Sequence, residues 1–552
     1  MGVGLIRFLF RIPGKLEMGR SIIIVAAVAS FISGASGVQL VMLVNKSLTH
    51  RDAATGRILW AFLAVCAVAM ASRIISEALL IRFAQELGLK LRMLLSRQIL
   101  SAPQRDIEKF GVHRMLVLLT DDVLVISNIV PLVPRQLINA IMVLGSMVYL
   151  GILSLAGLVI VLAALVVGSF AYRKSAGAAK ERMQRARQEQ DMLFRQLRSL
   201  AEGTKELKLH HWRREAFLEQ GLRGVAETLS RHVIEAQTAY RVAGSWAQPL
   251  EFGLMGLLLF VAPVRNLFDA PVLVSFVLTI LYIMGPLSAL LTVVPTFGRA
   301  DIAVQKIEQF TQLLRPESRS LPAPIAEVNH FAGPLELFDV THTYQHGDAD
   351  FILGPVNLVV HPGELIFLIG GNGSGKTTLA KILVGLYTPE SGEMRLSGKR
   401  IDIQDLEQYR QHFSVIFSDF HLFESCLGLQ GDDLDARANA YLSALHLSGK
   451  VRVVDGVFST TDLSQGQRKR LALLTAYMED RPVYLFDEWA ADQDPHFKEI
   501  FYRQLLPELK RRGKTIIVIS HDDRYYELAD RIIKMEDGRV VLDECVQREA
   551  VG

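Results

Sequence analysis

Gly370, Lys376 and Thr377 stand in the run Gly-Gly-Asn-Gly-Ser-Gly-Lys-Thr, which meets every fixed position of the spacing G-x-x-x-x-G-K-[ST]. Glycines at these intervals let backbone N–H groups converge on phosphate oxygens without side-chain obstruction. Asn372, Gly373, Ser374, Gly375 and Thr378 complete the candidate cradle. In such a loop Lys376 reaches the β and γ phosphates and the Thr377 hydroxyl holds Mg²⁺. Downstream, the apolar run VYLF ends in two adjacent carboxylates. Asp487 is placed to bind Mg²⁺, usually through water, and Glu488 to polarise an attacking water. The run IIVIS ends at His521, a candidate contact for the γ-phosphate. Taken alone, His521 reads better as a satisfied loop histidine. The chemistry indicated by the whole set is ATP binding and hydrolysis, with ATP and Mg²⁺ as cofactors.

Such a loop works only between a strand and a helix, because the helix N-terminus adds its positive end to the phosphate site. LIFLIG precedes the glycines and TLAKILVGL follows them. Other short β-type runs, SVIF, VYLF and TIIVIS, alternate with helical stretches. This is the pattern of an α/β domain with a mainly parallel sheet. The expected extent is 334–552. The Pro- and Ser-rich segment RPESRSLPAPIAEV marks a linker over 315–333.

The preceding part is different in kind. The chain has 552 residues, is half apolar and has a mean hydropathy of +0.27. Its net charge of +3 is unevenly spread, with basic residues dominant before about residue 300 and acidic ones after it. That distribution describes a membrane part and a soluble part and argues against nucleic acid as a partner. Cys66, Cys426 and Cys545 are far apart and match no metal spacing.

A spanning helix needs about 20 mostly apolar residues. Within 1–314 the expectation is an α-helical transmembrane domain of six spans, at 20–43, 59–81, 129–151, 153–172, 245–264 and 272–295. The first is read as an uncleaved span, since the run is too long for a signal peptide and lacks a clear cleavage site. The third and fourth form a tight hairpin near Ile152, permitted by Gly151 and Gly157. Lys and Arg crowd the segments after spans two and four, from Arg82 to Arg114 and from Arg173 onward. This places both long segments and both termini in the cytoplasm; Lys46, Arg51 and Arg57, after the first span, are outvoted. Span four is expected to continue as helix for about 50 residues, or ~75 Å. Polar residues in or near the spans are Gln39, Arg73, Glu77, Gln136, Gln248 and Glu251. Arg73 and Glu77 lie four apart and are suited to pairing with each other.

LSQGQRKRLAL, Leu463 to Leu473, together with the motifs above, resembles the ATP-binding cassette family, whose signature is LSGGQ. The resemblance implies two cassettes meeting head to tail, each ATP lying between one cassette's phosphate loop and the other's signature. It gives Ser464, Gly466 and Gln467 to the partner's nucleotide, Tyr344 to the adenine and Asp494 to the family's acidic loop. One departure is plain. In SVIFSDFHLFE, Ser418 stands where most cassettes carry a metal-contacting Gln. Ser418 is a further metal candidate, with Asp419 beside it, and the coupling route is thereby in question.

Six spans and one cassette resemble an exporter half-transporter, which implies a homodimer, membrane lipid as surroundings and a bacterial inner-membrane location. RMLVLLTDDVLVISN and AEGTKELKLHHWRREAF are similar to the intracellular loops that dock on the cassettes in that class. The run FDEWAADQDPHFKEIFYRQLLPELKRRGKTIIVISHDDRYY is similar to bacterial cyclic-peptide and siderophore exporters of the pyoverdine-precursor, syringomycin and microcin type. A peptide-like small-molecule cargo is implied; periplasmic or outer-membrane efflux partners are left open. The alternatives are lipid or drug export by the same architecture, or a membrane-bound regulatory ATPase.

Overall fold

The computed structural model describes residues 20–49, 55–245, 247–261, 268–313, 333–346, 349–429, 431 and 433–546. The basic residues Arg7, Arg11 and Lys15 before the first expected span, Arg51 after it, Arg265 between the fifth and sixth, and 315–332 of the expected linker lie outside the described residues, as does the side chain of Glu251. Two compact units divide the chain. The first holds 1–100 and 111–313, and the second holds 101–110 and 314–552.

The first unit is helical. Its main elements are α1 (Arg20–Thr49), α2 (Thr55–Ser101), α4 (Leu132–Leu153), α5 (Leu155–Glu202), α6 (Gly224–Ser245), α7 (Ala247–Gly256), α8 (Ala270–Thr292) and α9 (Val294–Leu313), while α3 (Gln104–Phe110) belongs to the second unit. Among the described residues, 4 stretches are long and apolar enough to cross a membrane: Ser21–Leu48, Gly56–Ser101, Arg114–Leu153 and Ala270–Leu313. The fourth expected span is the apolar opening of α5, Leu155–Gly168. The fifth falls on α7 and the π-helical turn Leu257–Val261, its last residues lying outside the described ones.

Small residues let these helices approach. A side chain at Gly34 would meet Ile141 at 2.8 Å, and one at Gly145 would meet Val38 at 2.7 Å, so α1 and α4 pack backbone to side chain. The Ser30 and Ser76 hydroxyls lie 2.8 Å apart across α1 and α2, and Ser76 also donates to the Ala26 carbonyl at 2.9 Å. The hairpin turns on one extended residue, Ser154, whose hydroxyl caps α5 by accepting from Gly157 N at 3.4 Å. Both glycines expected to permit the turn are helical. Gly157 is small for a packing reason, since a Cβ there would meet the Phe276 ring at 2.3 Å. The expected helical extension is present: α5 runs 48 residues without a break. At 1.5 Å per residue it is ~72 Å long.

The second unit is α/β. Its strands are β1 (Leu335–His346), β2 (Ala349–Val360), β3 (Leu365–Gly370), β4 (Ser391–Leu396), β5 (Lys399–Arg400), β6 (Phe413–Ile416), β7 (Val453–Val454), β8 (Val457–Phe458), β9 (Val483–Asp487), β10 (Thr515–Ile519), β11 (Arg531–Glu536) and β12 (Arg539–Cys545). The main sheet runs β12-β11-β3-β10-β9-β6, and every neighbouring pair is parallel except β11–β12. Its central strands are buried on both faces, which explains their unbroken apolar sequences. An antiparallel sheet, β2-β1-β4-β5, accompanies it. The parallel register sets the C-terminal ends of β3, β9 and β10 side by side, the usual place for a ligand in such a sheet. Those three ends carry the glycine loop, the paired acids and His521.

Candidate ATP-hydrolysis site

The loop after β3 turns into α10 (Lys376–Leu383). Gly370 has φ +146° and a Cβ there would meet the Met535 carbonyl at 2.2 Å, so only glycine fits. Gly373, at φ +80°, faces open space. Left-handed Gly375 precedes Lys376 and delivers the helix N-terminus to the loop. Phe351 and Leu353, from β2, lie against Gly375: a Cβ there would meet them at 3.1 and 2.9 Å. Lys376 is buried, and its ammonium donates to the Gly370 and Gly371 carbonyls at 3.0 and 2.8 Å. Burial pushes its pKa down, against the attraction of Glu488 and Asp487.

Asp487 ends β9 almost wholly buried. Its Oδ2 accepts from the Thr377 hydroxyl at 3.2 Å, while Oδ1, also buried, has no hydrogen-bond partner among the described residues. Burial raises the carboxyl above its ordinary pKa. A buried acid oxygen left without a donor, next to a hydroxyl, fits a hard divalent cation. The predicted Mg²⁺ pair, Asp487 and Thr377, is therefore brought together. The backbone N–H of Ser418 faces Asp487 and favours its charged form, and the nearby Asp419 disfavours it.

Glu488 adopts φ +49°, ψ +34°, an uncommon conformation for a non-glycine residue. Its N–H donates to the Ile519 carbonyl at 3.1 Å. His521 Nε2 lies 3.2 Å from Glu488 Oε1, with both side chains partly exposed. A carboxylate and an imidazole thus face the same solvent-open spot beside Lys376 and Asp487, as base-assisted attack by water on a phosphate requires.

The remaining candidates are placed as follows. Tyr344 is 38% exposed on β1, opposite Phe351. Ser464 caps α11 (Gln465–Glu479) through a capping box with Gln467, whose side chain is the acceptor for the Ser464 N–H at 3.3 Å. Gly466 sits where a Cβ would meet the Asp492 carbonyl at 2.9 Å. Asp494 caps α12 (Pro495–Ile500) by accepting from Phe497 N at 2.9 Å and pairs with Arg470.

A second cluster escaped the sequence reading. α3 carries Arg105, which meets Glu390 Oε1 at 2.7 Å and the Thr343 carbonyl at 3.1 Å. It also carries Glu108, which accepts from Lys381 Nζ at 3.0 Å and from the Tyr387 hydroxyl. Burial opposes ionisation of Glu108, but hydrogen bonds from Tyr387, Gln104 and Lys381 outweigh it and hold its pKa below the ordinary value. The cassette is therefore gripped by α3, upstream of RMLVLLTDDVLVISN, which belongs to the first unit. A seven-residue helix with no periodic pattern left no signal. In the first unit Arg73 Nε pairs with Glu77 at 3.3 Å as expected, and Arg135, which spacing did not indicate, reaches Glu77 at 3.7 Å. Gln136 is buried, whereas Gln39 and Gln248 are exposed.

Residues 353–491 match the family model "ABC transporter", and residues 21–287 match "ABC transporter transmembrane region". The chain is 35% identical over 523 residues to the ATP-binding protein SyrD of Pseudomonas syringae pv. syringae, covering 93% of this chain and 92% of that one. It is 30% identical over 389 residues to the ATP-dependent lipid A-core flippase of Burkholderia pseudomallei, covering 66% of this chain and 63% of that one. The solved structure of a bacterial Atm1-family ABC exporter with ATP bound has a similar fold, with TM-score 0.75, 14% identity and 95% of each chain covered.

Proposed function

The chain belongs to the ABC transporter family as an ATP-driven exporter, a helical transmembrane domain followed by an ATP-hydrolysing domain, and from that premise we propose that two copies export a peptide-like secondary metabolite, a cyclic peptide or peptide siderophore precursor such as that of pyoverdine. The location inferred is the bacterial inner membrane, with both termini cytoplasmic. The observation that carries the cargo reading is full-length likeness to SyrD, joined to the exporter-group resemblance of FDEWAADQDP.

In this reading ATP lies between Lys376 of one copy and Ser464 and Gly466 of the other, with Tyr344 against the adenine. Mg²⁺, held by Thr377 and Asp487, would neutralise phosphate charge. Glu488 accepts a proton from the attacking water, and His521 orients the γ-phosphate. Ser464 accepts within its own cap, so its hydroxyl proton is available to a phosphate oxygen. Hydrolysis parts the copies and resets the cavity. Leu209 and Trp212, 79% and 83% exposed in AEGTKELKLHHWRREAF, suit docking on the partner's cassette.

Motion reaches the membrane helices through α3, because Glu108 holds Lys381 at the far end of the phosphate-loop helix. That route does not need a Gln at 418. Hydrogen bonds to charged groups contribute about 1.5–3 kcal/mol each. Replacing Arg105 and Glu108 together by Ala is therefore expected to cut transport at least ~10-fold while basal ATPase stays within about 3-fold. Transport and ATPase measured on the same proteoliposomes check this, and equal loss of both would contradict it.

Cargo class is tested with inside-out proteoliposomes offered a cyclic peptide, a siderophore precursor peptide or lipid A-core. ATP-dependent accumulation of a peptide, absent in Glu488→Gln vesicles, supports the reading. Movement of lipid A-core alone would establish the second reading, which the flippase likeness favours.

A further inference from the structure

The segment after Glu488, Trp489-Ala-Ala-Asp-Gln-Asp494, is fastened side chain by side chain to the first turns of α11. Trp489 is buried, stacks on Phe501 with ring centres 4.3 Å apart, and donates its indole N–H to the Lys469 carbonyl at 2.9 Å. Gln493 donates to the Gly466 carbonyl at 3.0 Å and accepts from Arg470 Nε at 2.9 Å. Arg470 also pairs with Asp494 and lies 3.8 Å over the Phe497 ring. Lys469 is the centre of this block. Its side chain is 3% exposed, and its ammonium lies 2.9 Å from the Glu488 carbonyl and 2.7 Å from the Asp492 carboxylate.

We propose that Lys469 is a positioning residue for hydrolysis: its buried ammonium, anchored by Asp492, fixes the Glu488 backbone in its left-handed conformation and so sets the angle at which the Glu488 carboxylate meets water. A non-glycine residue stays in that conformation only where its surroundings over-determine it. Here the N–H is held by Ile519 and the carbonyl by a charged donor. A buried ammonium is costly without a counter-charge, and Asp492, the acid in contact with it, supplies one. The same block carries Gly466 and Ser464 on its outer edge. One rigid piece therefore presents Glu488 to its own copy's nucleotide and the signature to the partner's. The Lys469 ammonium is taken up by the Glu488 carbonyl and the Asp492 carboxylate, so its effect passes through Glu488.

The inference rests on the reading of Glu488 as the base, and the test separates the two. ATPase kinetics and ATP binding are measured on full-length protein in nanodiscs for wild type, Glu488→Gln, Lys469→Met and Asp492→Asn. Lys469→Met keeps the length of the side chain and loses the charge and the donor. It is expected to lower kcat at least ~10-fold with KM and ATP affinity within about 2-fold. Asp492→Asn, on a half-exposed residue, is expected to lower kcat about 3-fold at unchanged KM, and decides the matter if Lys469→Met does not fold. A merely structural role would shift melting temperature and ATP affinity along with kcat, and that result overturns the proposal. So does a kcat within 2-fold of wild type for Lys469→Met, or for Asp492→Asn where it alone folds, beside an inactive Glu488→Gln. Full activity of Glu488→Gln would instead overturn the reading of Glu488.

Discussion

Glu488→Gln protein is expected to bind ATP as tightly as wild type and to hydrolyse it at least ~100-fold more slowly. Removal of a positioned general base costs 10²–10⁴-fold. The amide has nearly the shape of the carboxylate, so the left-handed backbone at 488, held by Ile519 and Lys469, is unaffected. Lys376, the glycines and Asp487 are untouched, so nucleotide affinity is retained. His521, 3.2 Å from Glu488 Oε1, keeps a polar neighbour but loses the carboxylate proposed to take the proton. Phosphate release under saturating Mg²⁺-ATP, paired with equilibrium binding of ATP, measures both halves of the expectation. Hydrolysis at the wild-type rate would remove Glu488 from the mechanism.

The second large effect belongs to Lys376. Lys376→Ala removes an ammonium that burial already disfavours and that two loop carbonyls hold in place. In the proposed function its compensation is the triphosphate charge of bound ATP. Charge-assisted hydrogen bonds to phosphate are among the strongest polar contacts, at about 1.5–3 kcal/mol each. ATP affinity is expected to fall at least ~10-fold, and turnover with it. The contrast with Glu488→Gln is in the binding: one variant holds ATP without cleaving it, the other fails to hold it. An unchanged ATP dissociation constant in Lys376→Ala would show that the glycine loop is not the phosphate site.

Much of this site could be read from the residues because its parts are local. A glycine loop, a strand ending in two acids and a strand ending in His are each contiguous, and a parallel sheet aligns strand ends by its register. Apolar length likewise led to the expectation of six spans, and 4 stretches among the described residues are long and apolar enough to cross a membrane. What escaped was built from side chains far apart in sequence. Glu108 meets Lys381 and Tyr387 across more than 270 positions, and no periodicity joins them. Arg135 reaching Glu77 is a contact of the same kind. The run DEWAADQDP was read for its exporter resemblance, but the contacts it makes were not legible. Trp489, Asp492 and Gln493 make sense only once α11 is seen beside them, because Lys469 and Arg470 read in isolation as surface charges on an ordinary helix. The hairpin shows a smaller mismatch. Glycines suggested the turn, yet an extended serine cap makes it, and Gly157 is spent on Phe276.

The central claim is that ATP is cleaved in sites shared between two copies, and mixing two inactive variants tests it most directly. Lys376→Ala spoils a copy's phosphate loop and Ser464→Glu spoils its signature, where an acidic side chain at this exposed position would face phosphate. In a mixed pair, shared sites leave one site with both parts intact and the other with both parts damaged. Co-expressed variants, purified as the mixed pair through two affinity tags, are expected to hydrolyse ATP well above either variant alone. A mixed pair as inactive as its two parents would contradict it.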